Sequence, residues 1–263
     1  MKVILSRKGF DSANGGIPSP ILPDGEMLSL PIPSDDCVRY DELSWHGVGY
    51  RALLDGLRPG FAPAHCHLDP DLRPGLRRET PAGWQPAFGQ IRQSQRYLAQ
   101  TARVAPGDLF LFFGTFRPVG RTADGGWRYV PHAAAVHAIY GWLQIGEIVT
   151  DPARIARCPW HPHAAAARLA DPTNALYLPG ARLSFAPALP GCGVFPFAEK
   201  RVLTLAGCTK GVWRDNPVYR PEAVVGRRKN AAPGPGVYYA GVWQELALRE
   251  SPACEAWARG LFD

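Results

Sequence analysis

Five consecutive apolar residues, Leu109–Phe113, form the strongest hydrophobic signal in the chain. A run that short, preceded by the turn Pro106–Asp108, reads as a fully buried strand. VHAIYGWLQIGEIV, 136–149, reads as a second long strand or strand pair, broken at Gly141 or Gly146. The Asp-Gly-Gly turn at 124–126 predicts a hairpin or excursion between the two. Shorter strands are expected at 1–6, 27–33, 177–185 and 202–205, and a strand or strand–helix junction at 236–248. Helical spacing appears in two places. Tyr50, Leu53, Leu54 and Leu57 mark the end of a partly helical 40–57. IRQSQRYLAQTARV predicts an amphipathic helix over 89–102, with Arg92, Gln93, Arg96 and Gln100 on its polar face. A short helix after Asp151, an alanine-rich one after His163 and a final one at 251–262 complete the pattern. Strands and helices are not regularly alternated, so the expected fold class is α+β. It is read as one elaborated domain, 1–263, around a small, strongly bent sheet or barrel with flanking helices.

Polar residues gather where this pattern is interrupted. In HCHLDPDL, 65–72, an extended backbone would put His65, His67 and Asp69 on one face, and Pro70 would break the alternation before Asp71. An Asp-Pro-Asp run also makes ordinary turns, so a structural role stands beside a functional one. Histidines with carboxylates suit iron(II), manganese or zinc. The candidate ligands are His65, His67 and Asp69, completed by His137 or His161, although the spacing matches no named zinc signature. CPWHPH adds His161 and His163, which share a face unless Pro162 prevents it. The loop Ser6–Gly25 places Arg7, Lys8 and Asp11 beside glycines that allow close approach of a ligand. It contains neither GxGxxG nor GxxxxGK, so it is no phosphate loop. Candidate acids and bases are Asp11, His67, Asp69, Asp71 and His137. Candidate substrate-reading groups are Arg7, Lys8, Gln90, Gln144, Gln244 and Glu245. Trp84, Trp142 and Trp243 have the faces to stack on a base, but their apolar context favours the core. The first loop and the His65–Leu72 stretch are expected to meet in one pocket.

Composition narrows the setting. The 263 residues are 46% hydrophobic, which suffices for a core and argues against disorder. The net charge is +6, and 24 of the 29 basic residues are arginine. That balance permits a nucleotide or nucleic-acid partner without demanding one; the arginine-rich stretches 73–78 and 214–229 would carry phosphate contacts. The six cysteines form no CxxC pair and read as free thiols, with Cys66 and Cys158 lying beside histidines. No apolar run reaches about 18 residues, so no membrane partner is expected. The apolar core of the N-terminus is too short for a signal peptide, which predicts a cytoplasmic protein.

Several stretches taken together resemble a known family. They are SRKGFDSANGGIPSPILPDG at 6–25, HLDPDL at 67–72, GDLFLFFGTFR at 107–117, HAIYGWLQIGEIV at 137–149 and, more loosely, GVWQELAL at 241–248. The chain is identified by them as resembling the nucleotide modification associated domain 3 family. The strand–excursion–strand order of 107–149 is also similar to the small barrel of PUA-like domains. The family resemblance implies a role in nucleotide or DNA-base modification, acting on or binding a nucleotide or nucleobase through the His/Asp polar pocket. Two other readings remain open at this stage. One is a metal-dependent enzyme (iron, manganese or zinc) on a non-nucleotide substrate. The other is a module that binds a modified base without catalysis.

Overall fold

The computed structural model describes residues 1–226, 236–241 and 243–263. Arg227, Arg228 and Lys229 of the second basic stretch lie outside the described residues. The fold is α+β, built on a strongly curled half-barrel sheet. Its nine strands are β1 (Val3–Arg7), β2 (Ser19–Ile21), β3 (Phe88–Gln90), β4 (Leu109–Arg121), β5 (Trp127–Tyr129), β6 (Val136–Val149), β7 (Ala175–Pro179), β8 (Cys192–Val194) and β9 (Glu245–Ala247). The main order is β9-β1-β4-β6-β7-β3, with β2 and β5 added to β4 and β8 added to β6. The run Leu109–Phe113 is the start of β4, and all five side chains are buried. Both its neighbours are long-range partners: β1 pairs with it in parallel and β6 antiparallel.

Residues 136–149 form one strand rather than a pair, and its two glycines mark irregularities instead of ends. Register shifts fall between Ile139 and Gly141 and between Ile145 and Glu147. Such bulges bend a strand and increase its twist. Both sites need glycine. A Cβ on Gly141 would lie 2.9 Å from Leu72, and one on Gly146 would lie 2.6 Å from the Gly180 nitrogen. On the enclosed face the rings of Phe88, Phe110, Phe112 and Tyr177 pack with centroids 4.9–5.6 Å apart, joining β3 and β7 to β4 across the interior of the curl.

The two ends of the strand order, β3 and β9, meet through side chains. Glu245 on β9 accepts hydrogen bonds from Gln90 on β3 (2.5 Å), from Ser6 (3.0 Å) and from the Lys8 ammonium (3.1 Å). Lys8 also sits 4.4 Å above the Phe88 ring. A buried ionic seam therefore stands where a closed barrel would have backbone hydrogen bonds. Helix α2, Arg92–Arg96, continues as a π-helical turn over Tyr97–Ala102 and braces the seam: the Ala247 N–H donates to the Tyr97 hydroxyl (3.1 Å), and Ser94 donates to Gln244 (3.1 Å). The sequence pattern starts this helix at 89. The structure makes 88–90 a strand, because Phe88 and Gln90 must face the core while Gly89 faces the other way.

Two further layers cover the sheet. Residues 28–80 carry a second core around α1, Tyr50–Leu57, which contributes Tyr50, Leu53, Leu54 and Leu57. A two-stranded pair within it joins Ile32–Arg39 to His65–His67, so the strand expected at 27–33 lies mainly after Pro31. The connection from β6 to β7 folds over the outer face of the sheet. Ile155, Cys158 and Trp160 of this connection pack on Val149 and Leu176. Its alanine-rich part makes only one turn, Ala166–Leu169, before Asp171-Pro172 ends it. All six cysteines are unpaired, and no helix among the described residues is long and apolar enough to cross a membrane.

Candidate metal centre

Three segments converge on Asp69: the His65–His67 strand with the bend after it, Gly89 of β3, and the CPWHPH segment of the outer connection. After His67 the chain turns, with the Asp69 N–H donating to the His67 carbonyl (3.0 Å). His67 and Asp69 therefore meet by a bend and not by strand alternation. The Asp69 side chain is 4% exposed. Its Oδ1 accepts the Gly89 N–H at 2.8 Å and lies 3.4 Å from His161 Nε2. Its Oδ2 lies 3.7 Å from His67 Nε2 and 3.8 Å from His163 Nε2.

The other ring nitrogens of the two facing histidines are already committed. His67 Nδ1 is 2.7 Å from Asp36 Oδ2, and His163 Nδ1 is 2.6 Å from Asn174 Oδ1. Both partners accept, so each Nδ1 carries the proton and each neutral ring presents a lone pair at Nε2. Nε2 of both rings faces the second carboxylate oxygen of Asp69: the neutral His163 turns a lone pair toward it, while the raised pKa of His67 favours a second proton on that side. One ligand atom from each of His67, Asp69 and His163 lies within 4.8 Å of the others. Ligands about 2.1 Å from a tetrahedral ion are about 3.4 Å apart, so the two contacts to Asp69 need to close by a few tenths of an ångström.

Charge follows the same geometry. Burial opposes ionisation of Asp69, but His161, His67 and His163 around it hold its pKa well below the carboxylate range. Burial likewise opposes ionisation of Asp36, yet His67 and Arg168 keep it strongly acidic. Burial disfavours charge on His67; the carboxylates of Asp36 and Asp69 outweigh it and raise its pKa. His163, deeper and backed by an amide, is pushed down to about 3 by burial, which Asp69 opposes. A carboxyl–imidazole partner behind each ligating ring is a common arrangement at metal sites, and Asp36 gives His67 such a partner.

The remaining candidate residues have other neighbours. His65 lies beside the centre, its Nε2 3.4 Å from an Arg39 guanidinium nitrogen. Cys66, between the two histidines, points into the second core, and burial drives its thiol pKa up. Asp71 is fully buried and accepts from Arg77 and from the Trp84 indole (2.8 Å); Arg77 also reaches the Trp160 carbonyl (3.1 Å) and so ties the HCHLDPDL stretch to CPWHPH. Asp11 pairs with Arg7 at 3.0 Å and caps its own loop through Ala13 and Asn14. Asp11 thus stays within its own loop, while Gly9 of the same loop lines one small cavity with Leu68, Asp69, Pro70 and Leu72. His137 sits in an aromatic nest, where its Nδ1 accepts from the Trp213 indole at 3.0 Å. Lys8, Gln90 and Glu245 form the seam, with Gln244 beside it. Gln144 crosslinks Gly107 and Ser184. Trp142 donates to the Pro190 carbonyl (3.1 Å), and Trp243 packs on the main core. Of the basic stretches, Arg73 and Arg77 are buried with internal partners, and Arg214 and Arg220 hold Glu199 and Asp215.

The model of a family described as nucleotide modification associated domain 3 matches residues 2–246. No curated protein and no solved structure matches the chain.

Proposed function

The chain belongs to the nucleotide modification associated domain 3 family, and from that premise we propose that it is a metal-dependent enzyme that modifies a nucleotide or nucleobase, with the ion held by His67, Asp69 and His163. The observation that carries the reading is the convergence of one ligand atom from each of His67, Asp69 and His163 within 4.8 Å of one another. Two imidazoles and one carboxylate suit iron(II), manganese and zinc. A divalent ion there supplies Lewis acidity toward a substrate oxygen.

The chain's own residues do the rest. Asp36 orients His67, Asn174 orients His163, and Gly89 fixes one oxygen of Asp69. His67 is the ligand nearest to solvent, with its side chain 17% exposed, so substrate approaches across it. The rim there carries Arg39, His65 and Arg168, basic groups that favour an anionic substrate. A cavity of about 230 Å³ under the CPWHPH segment is lined by Trp160, Leu176, Gln85, Arg154 and Arg157 among others. None of His67, Asp69 and His163 lines that cavity, whereas Asp69 lines a smaller one with Gly9, Ser29, Leu68, Pro70 and Leu72.

The test is metal analysis of purified protein, then incubation with nucleotides and DNA oligonucleotides followed by mass spectrometry. About one equivalent of iron, manganese or zinc and a changed nucleotide mass are expected, both lost in Asp69→Ala. Failure to take up any of the three ions on reconstitution would refute the metal centre. Metal uptake with no nucleotide product would move the activity to a non-nucleotide substrate.

A further inference from the structure

We infer that His161 is a positioning residue that makes Asp69 a one-oxygen ligand and so keeps neighbouring coordination positions open. This rests on the metal reading above. His161 is 1% exposed, and its Nε2 has no hydrogen-bond partner within normal geometry. The nearest acceptor is Asp69 Oδ1, at 3.4 Å. That distance is at the outer limit of a hydrogen bond. The other ring nitrogen identifies the tautomer. His161 Nδ1 accepts the backbone N–H of His163 at 3.2 Å, so in the neutral ring the proton is on Nε2. The ring therefore presents a donor to Asp69 and has no lone pair free at Nε2 for a metal.

The Gly89 N–H bonds this carboxylate oxygen at 2.8 Å, and the His161 Nε2–H stands 3.4 Å from the same oxygen without completing a hydrogen bond. The second oxygen, Oδ2, is the one that faces both ligating imidazoles. An ion bound through both oxygens would have to compete with these donors for Oδ1. Bound through Oδ2 alone, a six-coordinate ion keeps three positions beyond His67, Asp69 and His163, whereas chelation by both oxygens would leave two. His161 thus acts through Asp69, and its backbone contact to His163 ties it to a second ligand.

The experiment uses the full chain loaded with cobalt(II), comparing wild type, His161→Leu and His161→Gln. Dissociation constants come from titration, and coordination number from the visible d–d spectrum. His161→Leu removes the donor and is expected to weaken binding about 10–100-fold, with a spectrum shifted toward higher coordination as Asp69 turns to chelate. His161→Gln restores an N–H donor and is expected to recover both affinity and spectrum. His161→Met, also without a donor, replaces His161→Leu if the latter does not fold. Unchanged affinity and spectrum without the donor would overturn the inference while leaving the metal centre standing. A Gln variant as impaired as Leu would overturn it too, because that would make His161 a ligand. If the wild type binds no cobalt, the metal reading fails and this inference falls with it.

Discussion

Gly89→Ala tests the geometry of the centre most directly, because it alters neither a ligand nor a charge. A Cβ at this position would lie 2.3 Å from His163 Cδ2, 2.5 Å from Cγ and 2.6 Å from Nε2. Carbon atoms in contact sit about 3.5–4.0 Å apart, so the imidazole must retreat by about 1 Å. It is not free to do so. Its Nδ1 is held by Asn174 Oδ1 at 2.6 Å, and Asn174 Nδ2 holds the His163 carbonyl at 3.0 Å. Overpacking costs about 1–3 kcal/mol, and a lost buried hydrogen bond adds about 0.5–1.5 kcal/mol. Stability is therefore expected to fall by roughly 1.5–4.5 kcal/mol in urea melts of the metal-free protein. Ligand distances tolerate only about 0.2 Å of error, so a displacement of that size should also weaken manganese or zinc binding at least tenfold. A Gly89→Ala protein within 0.5 kcal/mol of wild type, with the same metal affinity, would show that His163 is not held against this backbone and would refute the reasoning.

Other expectations follow from buried charges. Lys8→Met removes the cation paired with buried Glu245 and is expected to cost about 3–5 kcal/mol in urea melts; Lys8→Met with Glu245→Gln should cost clearly less than the sum of the two single changes. Arg77→Leu strips the cation from Asp71 and should cost about 3–5 kcal/mol, with metal affinity falling as CPWHPH loses its tie to the HCHLDPDL stretch. Burial, with Lys210 and Arg7 nearby, pushes the His137 pKa down to about 3. Its neutral state stabilises the fold fully above the unfolded value near 6.5, and that contribution is lost as pH falls toward 3. By pH 5 it removes about 2 kcal/mol, so His137→Gln should show a flatter stability profile between pH 7 and 5. Thiol titration of denatured protein without reductant should count all six cysteines as free.

The sheet was legible where one kind of interaction decides the structure. Leu109–Phe113 has no polar residue to turn toward water, so it could only be an interior strand. The hairpin at 122–126 followed from its Asp-Gly-Gly. The glycines of β6 were legible as irregularities but not as bulges in a single strand, because that depends on Leu72 and Gly180 pressing against them. Gln90, Glu245 and Lys8 stood out only as groups able to read a substrate. What the sequence withheld is that the two ends of the curled sheet approach each other, so these residues satisfy one another across the seam.

The centre was legible by half, for a physical reason that its geometry makes plain. HCHLDPDL supplied two members of the cluster, His67 and Asp69, but strand alternation is not what joins them. The strand stops at His67 and the backbone bends, which leaves His65 outside the set and sends Asp71 to Arg77 and Trp84 instead. The third member comes from CPWHPH, and only the fold of the β6–β7 connection over the outer face brings it near. A signal was present: two His-x-His stretches, each beside a proline, in segments too polar for the core. Burying imidazoles and a carboxylate together costs more than most cores allow unless something compensates them. Asp36, Asn174 and Gly89 compensate the outward-facing atoms of this group. Inside the group one ligand atom from each of His67, Asp69 and His163 lies within 4.8 Å of the others, and either imidazole protons or a bound cation would balance the ionised Asp69 there.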